Sequence, residues 1–557
     1  MLLLDLNHVS AMAAAVTSLL SALLLLLISR HLWTYRWTIT RDKECKLPLP
    51  KGSMGWPLVG ETFHWFFQGS SFHMSRRERY GNVFKTHLLG KPVIRVTGAE
   101  NIRKILLGEH NLVSTQWPQS TRIILGPNTL VNSIGELHRQ KRKILAKVFS
   151  RRALEAYMPR LQGVVKSEIA KWCSAPSSVN VYNAAKSLTF RVAIQVLLGL
   201  NMEESRMNHL SKIFEQLMDN LFSLPFDVPF SGLRRGIKAR ETLHTCMETI
   251  IEEKLRTYHT EGHMDAFDYM LSSAKENGHE LNVQELKECA VELIFAAHST
   301  TASASTSLIL LLLRHPMVAE KAKLELTKHG LAPCDQCLLN KGDELVWKPK
   351  HSHTRTEKKN HENRTKKAGS EICPPERVYC DPVMDPIKET SNLGSCHPHL
   401  TLEKLSQLRY MNCVVKEVLR FLPPVSGGYR TALQTFELDG YQIPKGWSVM
   451  YSIRDTHETA AVFQSPELFD PDRFGGDRDE SKRGRFNYVP FGGGTRSCIG
   501  KELAQIILKT LAAELLSATE FKLATETFPH MQTVPVVHPV NGLYVYFKYT
   551  SLIDNQV

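Results

Sequence analysis

The chain has 557 residues, with 69 Lys and Arg against 56 Asp and Glu and a formal net charge of +13. This length permits several domains, although a helical enzyme can use most of it as one unit. A basic net charge fits nucleic acid, a membrane surface or an acidic protein partner. No DNA- or RNA-binding signature accompanies the basic residues, so we expect a membrane surface or an acidic protein and no nucleic acid. The 11 cysteines are odd in number and too few for a disulfide framework, which favours a reducing compartment.

The first predicted element is an apolar helix near the amino terminus. Residues Val9 to Ser29 are uncharged and rich in Leu and Ala, and the run is long enough to cross a bilayer. Only Asp5 precedes this run, whereas several basic residues follow it, starting with Arg30. A cleaved signal peptide is the alternative, but its positive charge would normally come first. We therefore predict that residues 1–45 are a single-pass membrane anchor with its flank, and that the rest of the chain is cytosolic.

A proline-rich segment at residues 46–60 follows the anchor, and its prolines exclude a helix and predict a stiff hinge. Two β-rich runs around a Gly-Lys-Pro turn predict a hairpin over residues 82–97. Apolar residues recur at helical spacing over residues 139–200 and 286–313. Short β segments are predicted near residues 435–451 and 534–547. The prediction for residues 61–557 is a mainly α body with small β-sheets.

Residues 338–395 depart from this pattern. Their central part, Lys341 to Ser370, is rich in Lys, Arg and His and has almost no apolar residues, so it cannot bury a core segment. We predict that 338–395 is a disordered insertion. A zinc site is an open alternative, although its second cysteine pair has neither finger nor ribbon spacing. Its candidate ligands are Cys334, Cys337, His351, His353, Cys373 and Cys380.

A glycine-rich turn and one cysteine stand together in the stretch from Phe491 to Gly500. The glycines let the backbone approach a flat ligand, and helix-start amides with Arg496 favour an anionic sulfur on Cys498. The pattern Phe-x-x-Gly-x-Arg-x-Cys-x-Gly resembles the haem-binding loop of the cytochrome P-450 family. The resemblance implies the cytochrome P-450 fold, haem b as cofactor and Cys498 as the axial iron ligand. It also places Phe491, Gly494 and Arg496 at the haem.

Glu417 and Arg420 are three residues apart, which puts both side chains on one face of a helix. A surface ion pair is the plain interpretation. The same family joins such a Glu-x-x-Arg pair to an arginine downstream, and the resemblance assigns that arginine to Arg473. It therefore implies a buried structural network of these three side chains.

The stretch from Leu293 to Ala302 resembles the long central helix that crosses the haem in this family. Thr300 occupies the position of the family's key threonine, and its hydroxyl can bond to a carbonyl one turn earlier and open a local bulge. Ala297 replaces the usual glycine and Ser299 the usual acid. A serine can relay a proton but supplies none at neutral pH, so the resemblance leaves the proton route open between Thr300 and Ser299.

The helix that begins near Gly135 resembles the family's Trp-x-x-x-Arg segment, with His138 at the tryptophan position and Arg142 at the arginine position. Their i, i+4 spacing places both side chains on one face, where each can donate to a haem propionate. A solvated basic face is the alternative. Arg430 and Arg496 are further propionate candidates.

Further segments resemble the vertebrate retinoic-acid hydroxylases of this family. They are residues 85–90, 117–122, 222–232, 301–306, 426–430 and 435–447. This resemblance implies hydroxylation of all-trans-retinoic acid, or another isomer, at ring carbon 4. An apolar polyene with one carboxylate requires a mostly apolar pocket with few polar anchors. The predicted walls are Trp117, Phe222, Phe295, Pro424 and Val425, and the predicted carboxylate partner is Arg95.

The resemblance also implies electrons from the membrane-bound NADPH-cytochrome reductase and a place in the endoplasmic reticulum membrane. No dinucleotide fingerprint occurs in the chain, so NADPH should not bind it directly. Two alternatives remain open. One is an oxygenase of the same fold acting on a sterol or another lipid, and the other is a non-catalytic haem-binding retinoid sink.

Overall fold

The computed structural model describes residues 2–257, 265–331 and 399–550. The predicted insertion at 338–395 and the residues considered for a zinc site lie outside these ranges. Among the described residues no cluster of His, Cys, Asp and Glu could hold a metal ion.

Helices dominate the described chain, as the sequence predicts. The α-helices are α1 Leu2–Ile39, α2 Thr62–Gln68, α3 Ser70–Tyr80, α4 Ala99–Leu107, α5 Gln119–Leu125, α6 Gly135–Ala146, α7 Arg151–Cys173, α8 Val181–Arg191, α9 Glu204–Asn220, α10 Gly232–Thr257, α11 Ala266–Glu276, α12 Val283–Arg314, α13 Pro316–Lys328, α14 Leu402–Gln407, α15 Arg409–Phe421, α16 Ile453–Thr459 and α17 Lys501–Ala518. A π-helical turn, Val192–Leu197, ends α8. Short 3₁₀ turns lie at Lys147–Phe149, Pro471–Phe474, Gly476–Arg478, Glu480–Arg483 and Gly494–Arg496.

The strands are short and form small sheets. They are β1 Val83–Leu88, β2 Lys91–Val96, β3 Val113–Thr115, β4 Val179–Asn180, β5 Gly427–Ala432, β6 Phe436–Leu438, β7 Tyr441–Ile443, β8 Ser448–Ser452, β9 Thr519–Leu523, β10 Met531–Gln532, β11 His538–Pro539 and β12 Tyr544–Tyr549. The largest sheet has the order β1-β2-β8-β5-β3, and β12 lies between β4 and β9 in a second sheet.

The predicted hairpin is confirmed, because β1 and β2 pair antiparallel with Val83 opposite Val96. The β segment predicted at 435–451 is also confirmed, as β6, β7 and the start of β8. The segment predicted at 534–547 is only partly strand: β11 is two residues long and β12 begins at Tyr544. The intervening chain turns through Gly542, whose φ of 82° a strand cannot accommodate.

The long helix α12 is the centre of the larger core cluster, and it packs against α8, α10 and α17. Asn282 caps its amino end by accepting the amide of Glu285, whose own side chain accepts the amide of Asn282. The helix is apolar enough to cross a membrane, but 72% of its most apolar window is buried inside the protein. It is therefore a core helix, which agrees with the helical spacing seen over residues 286–313.

Helix α1 is longer than the predicted span of Val9 to Ser29. Within its part from Met12 to Ile39, the most apolar window of 18 residues has a mean hydropathy of 2.3, and none of that window is buried, as a membrane anchor requires. The carboxyl end differs, because Trp33 is 9% exposed and its indole N–H donates to the carbonyl of Met54 at 3.1 Å. The edge of its ring meets Trp37 with a centroid distance of 5.4 Å. Tryptophans that pack on the sheet extend the helix past its apolar run.

The proline-rich segment at 46–60 is not helical, ends in a turn at residues 57–59 and is hydrogen-bonded to the body. The Gln442 side chain, which is fully buried, donates to the carbonyls of Cys45 and Leu47, and its backbone N–H donates to the carbonyl of Pro48 at 2.9 Å. The Lys85 ammonium donates to the carbonyl of Pro50 at 2.9 Å. These bonds hold the segment against β1 and β7, and its role in orienting the body on a membrane stays a prediction.

The predicted network of Glu417, Arg420 and Arg473 forms, and all three side chains are at most 1% exposed. Arg420 donates to both oxygens of Glu417, at 2.7 and 2.8 Å, and Arg473 donates to Glu417 at 3.1 Å. Arg473 also pairs with Glu480 at 2.9 Å. The buried guanidiniums are thus balanced by carboxylates and by backbone carbonyls, which is what burial of charge demands.

We expect Glu417→Gln to prevent recovery of haem-loaded protein. The change removes the negative charge that two buried guanidiniums share, which should lower the free energy of unfolding by about 3–5 kcal/mol. The measurement is the yield of haem-loaded protein together with its thermal unfolding. The matched control is Glu100→Gln, since Glu100 pairs with Arg103 at the same i, i+3 spacing but is 81% exposed. Normal yield from Glu417→Gln would contradict a structural role for the network.

Candidate haem and active site

The turn before Cys498 is closed by its own backbone. The amide of Cys498 donates to the carbonyl of Phe491 at 2.9 Å, and the amide of Gly492 donates to Val489 at 2.9 Å. Gly492 and Gly494 have φ values of 67° and 66°, a region that side chains disfavour. A Cβ on Gly494 would also lie 2.1 Å from the carbonyl oxygen of Leu106. The glycines therefore bring the turn into backbone contact with the end of α4.

The thiol of Cys498 is accessible to solvent although protein surrounds much of it. Surrounding protein raises the pKa of this thiol above its usual value, while the Gly500 amide, Arg142 and Lys501 each lower that pKa. The side chain is nevertheless exposed to solvent. A cysteine that is partly enclosed by protein and still accessible can meet a ligand, and one backbone amide and two positive charges oppose the effect of burial on its pKa.

The middle of α12 is accessible on one face although the rest of the helix is mostly buried. Ala296 is exposed and Thr300, one turn later, is half-buried. The Thr300 hydroxyl donates to the carbonyl of Ala296 at 2.8 Å, which confirms the predicted bond to the previous turn. The predicted bulge is wrong, since α12 is continuous α-helix from Val283 to Arg314. The hydroxyl bond is compatible with the backbone hydrogen bonds of the helix, because the carbonyl oxygen of Ala296 has two lone pairs and can accept both.

Ser299 has a partner that the sequence did not indicate. Its hydroxyl lies 3.2 Å from Nδ1 of His298, a ring that is 1% exposed and packed edge-on against Phe214. Burial lowers the pKa of His298 to about 3, so this imidazole is neutral at physiological pH. Neither the Ser299 hydroxyl nor the His298 ring is therefore charged, whereas the acidic residue that the family usually has at position 299 would be.

The four residues predicted for the propionates lie in one cluster. Arg142 donates to the carbonyl of Ser497 at 2.7 Å, next to the cysteine. Burial, with Arg496 the next largest influence, lowers the pKa of His138 to about 4, so the ring is neutral and donates through one nitrogen only. Nδ1 of His138 is buried and has no hydrogen-bond partner in the described part of the chain. The alternative of a solvated basic face fails for His138, which is 2% exposed.

Glu109 joins the other two members of this cluster. Its carboxylate accepts Nε of Arg430 at 2.7 Å and Nε of Arg496 at 2.7 Å, and its side chain is 1% exposed. The ring of His110 lies 5.5 Å from that of His138. The cluster thus has more arginines than carboxylates, together with an unpaired buried imidazole nitrogen. Such a set of donors fits a ligand that carries carboxylates.

The predicted substrate residues divide into two groups. Trp117 and Phe295 are half-buried, and their rings meet edge to face with centroids 6.4 Å apart. Pro424 is buried, and its carbonyl accepts the amide of Val537 at 3.1 Å. Phe222 and Val425 are 51% and 37% exposed. The structure brings Trp117 to the accessible part of α12 through its contact with Phe295.

The guanidinium of Arg95 is buried in an ion pair and does not face an open pocket. Its guanidinium pairs with Asp455 at 2.8 Å, and the two side chains are 4% and 3% exposed. This pairing, with Arg454, lowers the pKa of Asp455 well below its usual value against the opposing effect of burial. A substrate carboxylate would have to displace a buried partner, so the geometry lends no support to Arg95 as the anchor.

The sequence analysis missed Glu109, His457 and Glu480. Nε2 of His457 accepts the amide of Val489 at 3.0 Å, and its Nδ1 lies 3.2 Å from the carbonyl of Arg420, which links the buried ion network to the cysteine turn. None of the three residues is part of a recognisable sequence motif. The partners of Glu109 are distant in sequence and those of His457 are backbone groups, while Glu480 pairs with Arg473 and Arg478 at spacings that match no motif.

These features define a class: a helical protein that presents an accessible cysteine and an arginine cluster to a flat, anionic cofactor. The cytochrome P450 family model matches residues 50–330 and 388–546. The chain is 56% identical to human cytochrome P450 26C1 over 97% of its own length and 96% of that protein, and 53% identical to human cytochrome P450 26B1 over 100% and 97%. The chain belongs to the cytochrome P450 family.

The fold expectation is confirmed by a solved structure. Retinoic acid-bound cyanobacterial CYP120A1 superposes with a TM-score of 0.72 and 31% identity, covering 91% of this chain and 100% of that one. Proteins of this family and fold hold haem iron through a cysteine, so the cofactor is haem. The accessible Cys498, the arginine cluster and the unpaired nitrogen of His138 fit it.

We expect Gly494→Ala to lower the yield of haem-loaded protein far more than Gly492→Ala. Both changes place a side chain at positive φ, at a cost of about 1–2 kcal/mol. Only the Cβ at residue 494 would also overlap a backbone carbonyl, whereas the one at residue 492 meets nothing within 4 Å. The measurement is the haem content per mole of purified protein for both variants. Equal losses would show that backbone contact with α4 does not matter.

Proposed function

We propose that this protein is a monooxygenase that hydroxylates retinoic acid, all-trans and other isomers, at ring carbon 4 for retinoid catabolism. The observation that carries the substrate is the superposition with CYP120A1, a structure solved with retinoic acid bound. The segments that resemble retinoic-acid hydroxylases support the same substrate. The position of oxidation rests on that resemblance.

In this proposal the chain holds haem through the Cys498 thiolate and through the guanidiniums of Arg142, Arg430 and Arg496. When bound, the haem supplies the activation of molecular oxygen. The turn from Phe491 to Cys498 positions the sulfur, because backbone hydrogen bonds close the turn and its glycines adopt the positive φ values that it requires. The arginines neutralise the propionates and orient the cofactor.

Thr300 is the proposed proton-handling residue of α12. Its hydroxyl is tied to the carbonyl of Ala296, so its own oxygen remains free to accept a hydrogen bond from water. Ser299 is held beside the neutral ring of His298 and can relay a proton only through its hydroxyl. The chain therefore moves protons through hydroxyl groups and water from outside rather than from a resident acid.

The proposed pocket wall is the aromatic pair of Trp117 and Phe295. It lies against the accessible part of α12 and gives an apolar polyene a flat surface. Pro424, Phe222 and Val425 stay candidates for the rest of the wall. Arg95 is the weakest of the predicted contacts, because Asp455 already neutralises it.

We further propose a single-pass protein of the endoplasmic reticulum membrane with a cytosolic catalytic domain and NADPH-cytochrome reductase as its electron donor. The exposed apolar part of α1 supports the anchor. Exposed basic side chains near the cysteine turn, such as Arg139 and Lys501, support an acidic partner.

We expect the full-length protein, with reductase and NADPH, to convert retinoic acid to a product hydroxylated at ring carbon 4. Products from all-trans, 9-cis and 13-cis isomers are identified by mass spectrometry, and sterols serve as parallel substrates. Turnover of a sterol alone would favour the lipid alternative. Binding of retinoic acid without any product would favour the non-catalytic sink.

We expect Thr300→Ala to lower the product formed per NADPH consumed by about tenfold or more, because a positioned proton-transfer group contributes at least that much. Thr300→Ser is the matched control, since it keeps the hydroxyl, and should retain most of the coupling. The retinoic-acid dissociation constant should change little in either variant. Equal coupling in Thr300→Ala and the unaltered protein would remove Thr300 from the proton route.

A further inference from the structure

Glu109 is a buried carboxylate between two arginines that come from distant parts of the chain. Arg430 lies on β5 and Arg496 in the turn before the cysteine, while Glu109 follows α4. The backbone amide of Thr115 also donates to it, at 3.0 Å. Each carboxylate oxygen therefore has an N–H donor from a guanidinium, and one has a second donor from the backbone.

The carboxylate of Glu109 accepts a hydrogen bond from Nε of each guanidinium, so the Nη1 and Nη2 atoms can bind other partners. Nη1 of Arg430 donates to the carbonyl of Tyr429 at 2.8 Å, and Nη2 of Arg496 donates to the carbonyl of Ser133. Within the described residues, Nη2 of Arg430 and Nη1 of Arg496 have no hydrogen-bond partner, and neither atom is buried. Each arginine is thus held at one side and presents a donor to accessible space.

The charges of the cluster match a dianion. The guanidiniums of Arg142, Arg430 and Arg496 carry three positive charges and Glu109 removes one, while burial lowers the pKa of His138 and His110 and favours their neutral forms. The remaining two positive charges equal the charge of the two haem propionates. Without Glu109, the buried guanidiniums would repel one another more strongly.

We propose that Glu109 is a positioning residue of the haem site: it holds Arg430 and Arg496 by their Nε atoms so that their outer nitrogens face the propionates. The proposal rests on the arginine roles given under Proposed function. Glu109 acts through the arginines rather than on the cofactor itself. Its carboxylate also sets the electrostatic potential at the cofactor.

The simpler alternative is an ion pair that stabilises the fold and nothing more. A fold-stabilising pair would affect any porphyrin in the site equally, whereas a residue that orients propionate donors matters only when propionates are present. Haem dimethyl ester, in which both propionates are esterified, separates the two cases. The difference between the two cofactors is a coupling between Glu109 and the propionates.

The experiment compares two variants of the full-length protein reconstituted with haem or with haem dimethyl ester. Glu109→Asp keeps the charge but shortens the reach, so one carboxylate no longer spans both Nε atoms. Transfer of haem to apomyoglobin should become about tenfold faster, while transfer of the ester should keep its rate. Glu109→Gln removes the charge, and the Fe(III)/Fe(II) reduction potential should shift to more positive values, because the added electron meets a more positive surrounding.

The matched controls are Glu168→Asp and Glu168→Gln, since Glu168 is also a buried carboxylate between two basic side chains, at 3.0 Å from Arg191 and 2.9 Å from Lys171. They should leave the reduction potential and both transfer rates unchanged. Equal acceleration of haem and ester by Glu109→Asp, or no acceleration, would overturn the proposal. So would failure of both Glu109 variants to retain either cofactor, which would mark a fold-stabilising pair.

The outcome is separable from that of the proposed function. A protein that behaves as predicted in these transfers but does not hydroxylate retinoic acid would contradict the substrate and leave the role of Glu109 intact. Hydroxylation of retinoic acid with unchanged transfer rates in Glu109→Asp would contradict only the role of Glu109.

Discussion

The buried carboxylate of Glu417, shared by Arg420 and Arg473, is the interaction on which the rest of the site depends. It joins α15 to the segment of short 3₁₀ turns that precedes the cysteine, and it does so where water cannot replace a lost partner. His457 continues the connection, because its ring bridges the backbone of Arg420 and the amide of Val489. The cysteine turn is therefore connected through His457 to a buried charge network that lies outside the turn.

A second group of charges, around Glu109, is arranged on a different principle. The first network is neutralised within the protein and closed to solvent, whereas the second keeps a surplus of positive charge beside an accessible thiol. Partly buried positive charge without a counter-charge is costly, so such a surplus favours an anionic ligand. We propose that the two groups divide the work, with the first stabilising the fold and the second binding the cofactor.

The amino-terminal part of the protein illustrates how local patterns and long-range contacts combine. The apolar run of α1 is readable from composition, and so is the proline-rich segment that follows. The packing of Trp33 on Met54 and the hydrogen bonds from Gln442 are not, because each joins residues that no local pattern relates. These contacts continue the helix beyond its apolar part and hold the proline-rich segment on the sheet.

The sequence by itself determined the helical class, the central helix, the cysteine turn and the Glu417 network. Hydrophobic periodicity determines local helical geometry, and a short motif combines a fixed spacing with residue types that have a specific chemical role. Tertiary structure decided the rest. It paired Arg95 with Asp455, exposed Phe222, bound Ser299 to His298 and placed Glu109 between Arg430 and Arg496. Those outcomes depend on which distant side chains meet and on how deeply they are buried, and neither is set by spacing along the chain.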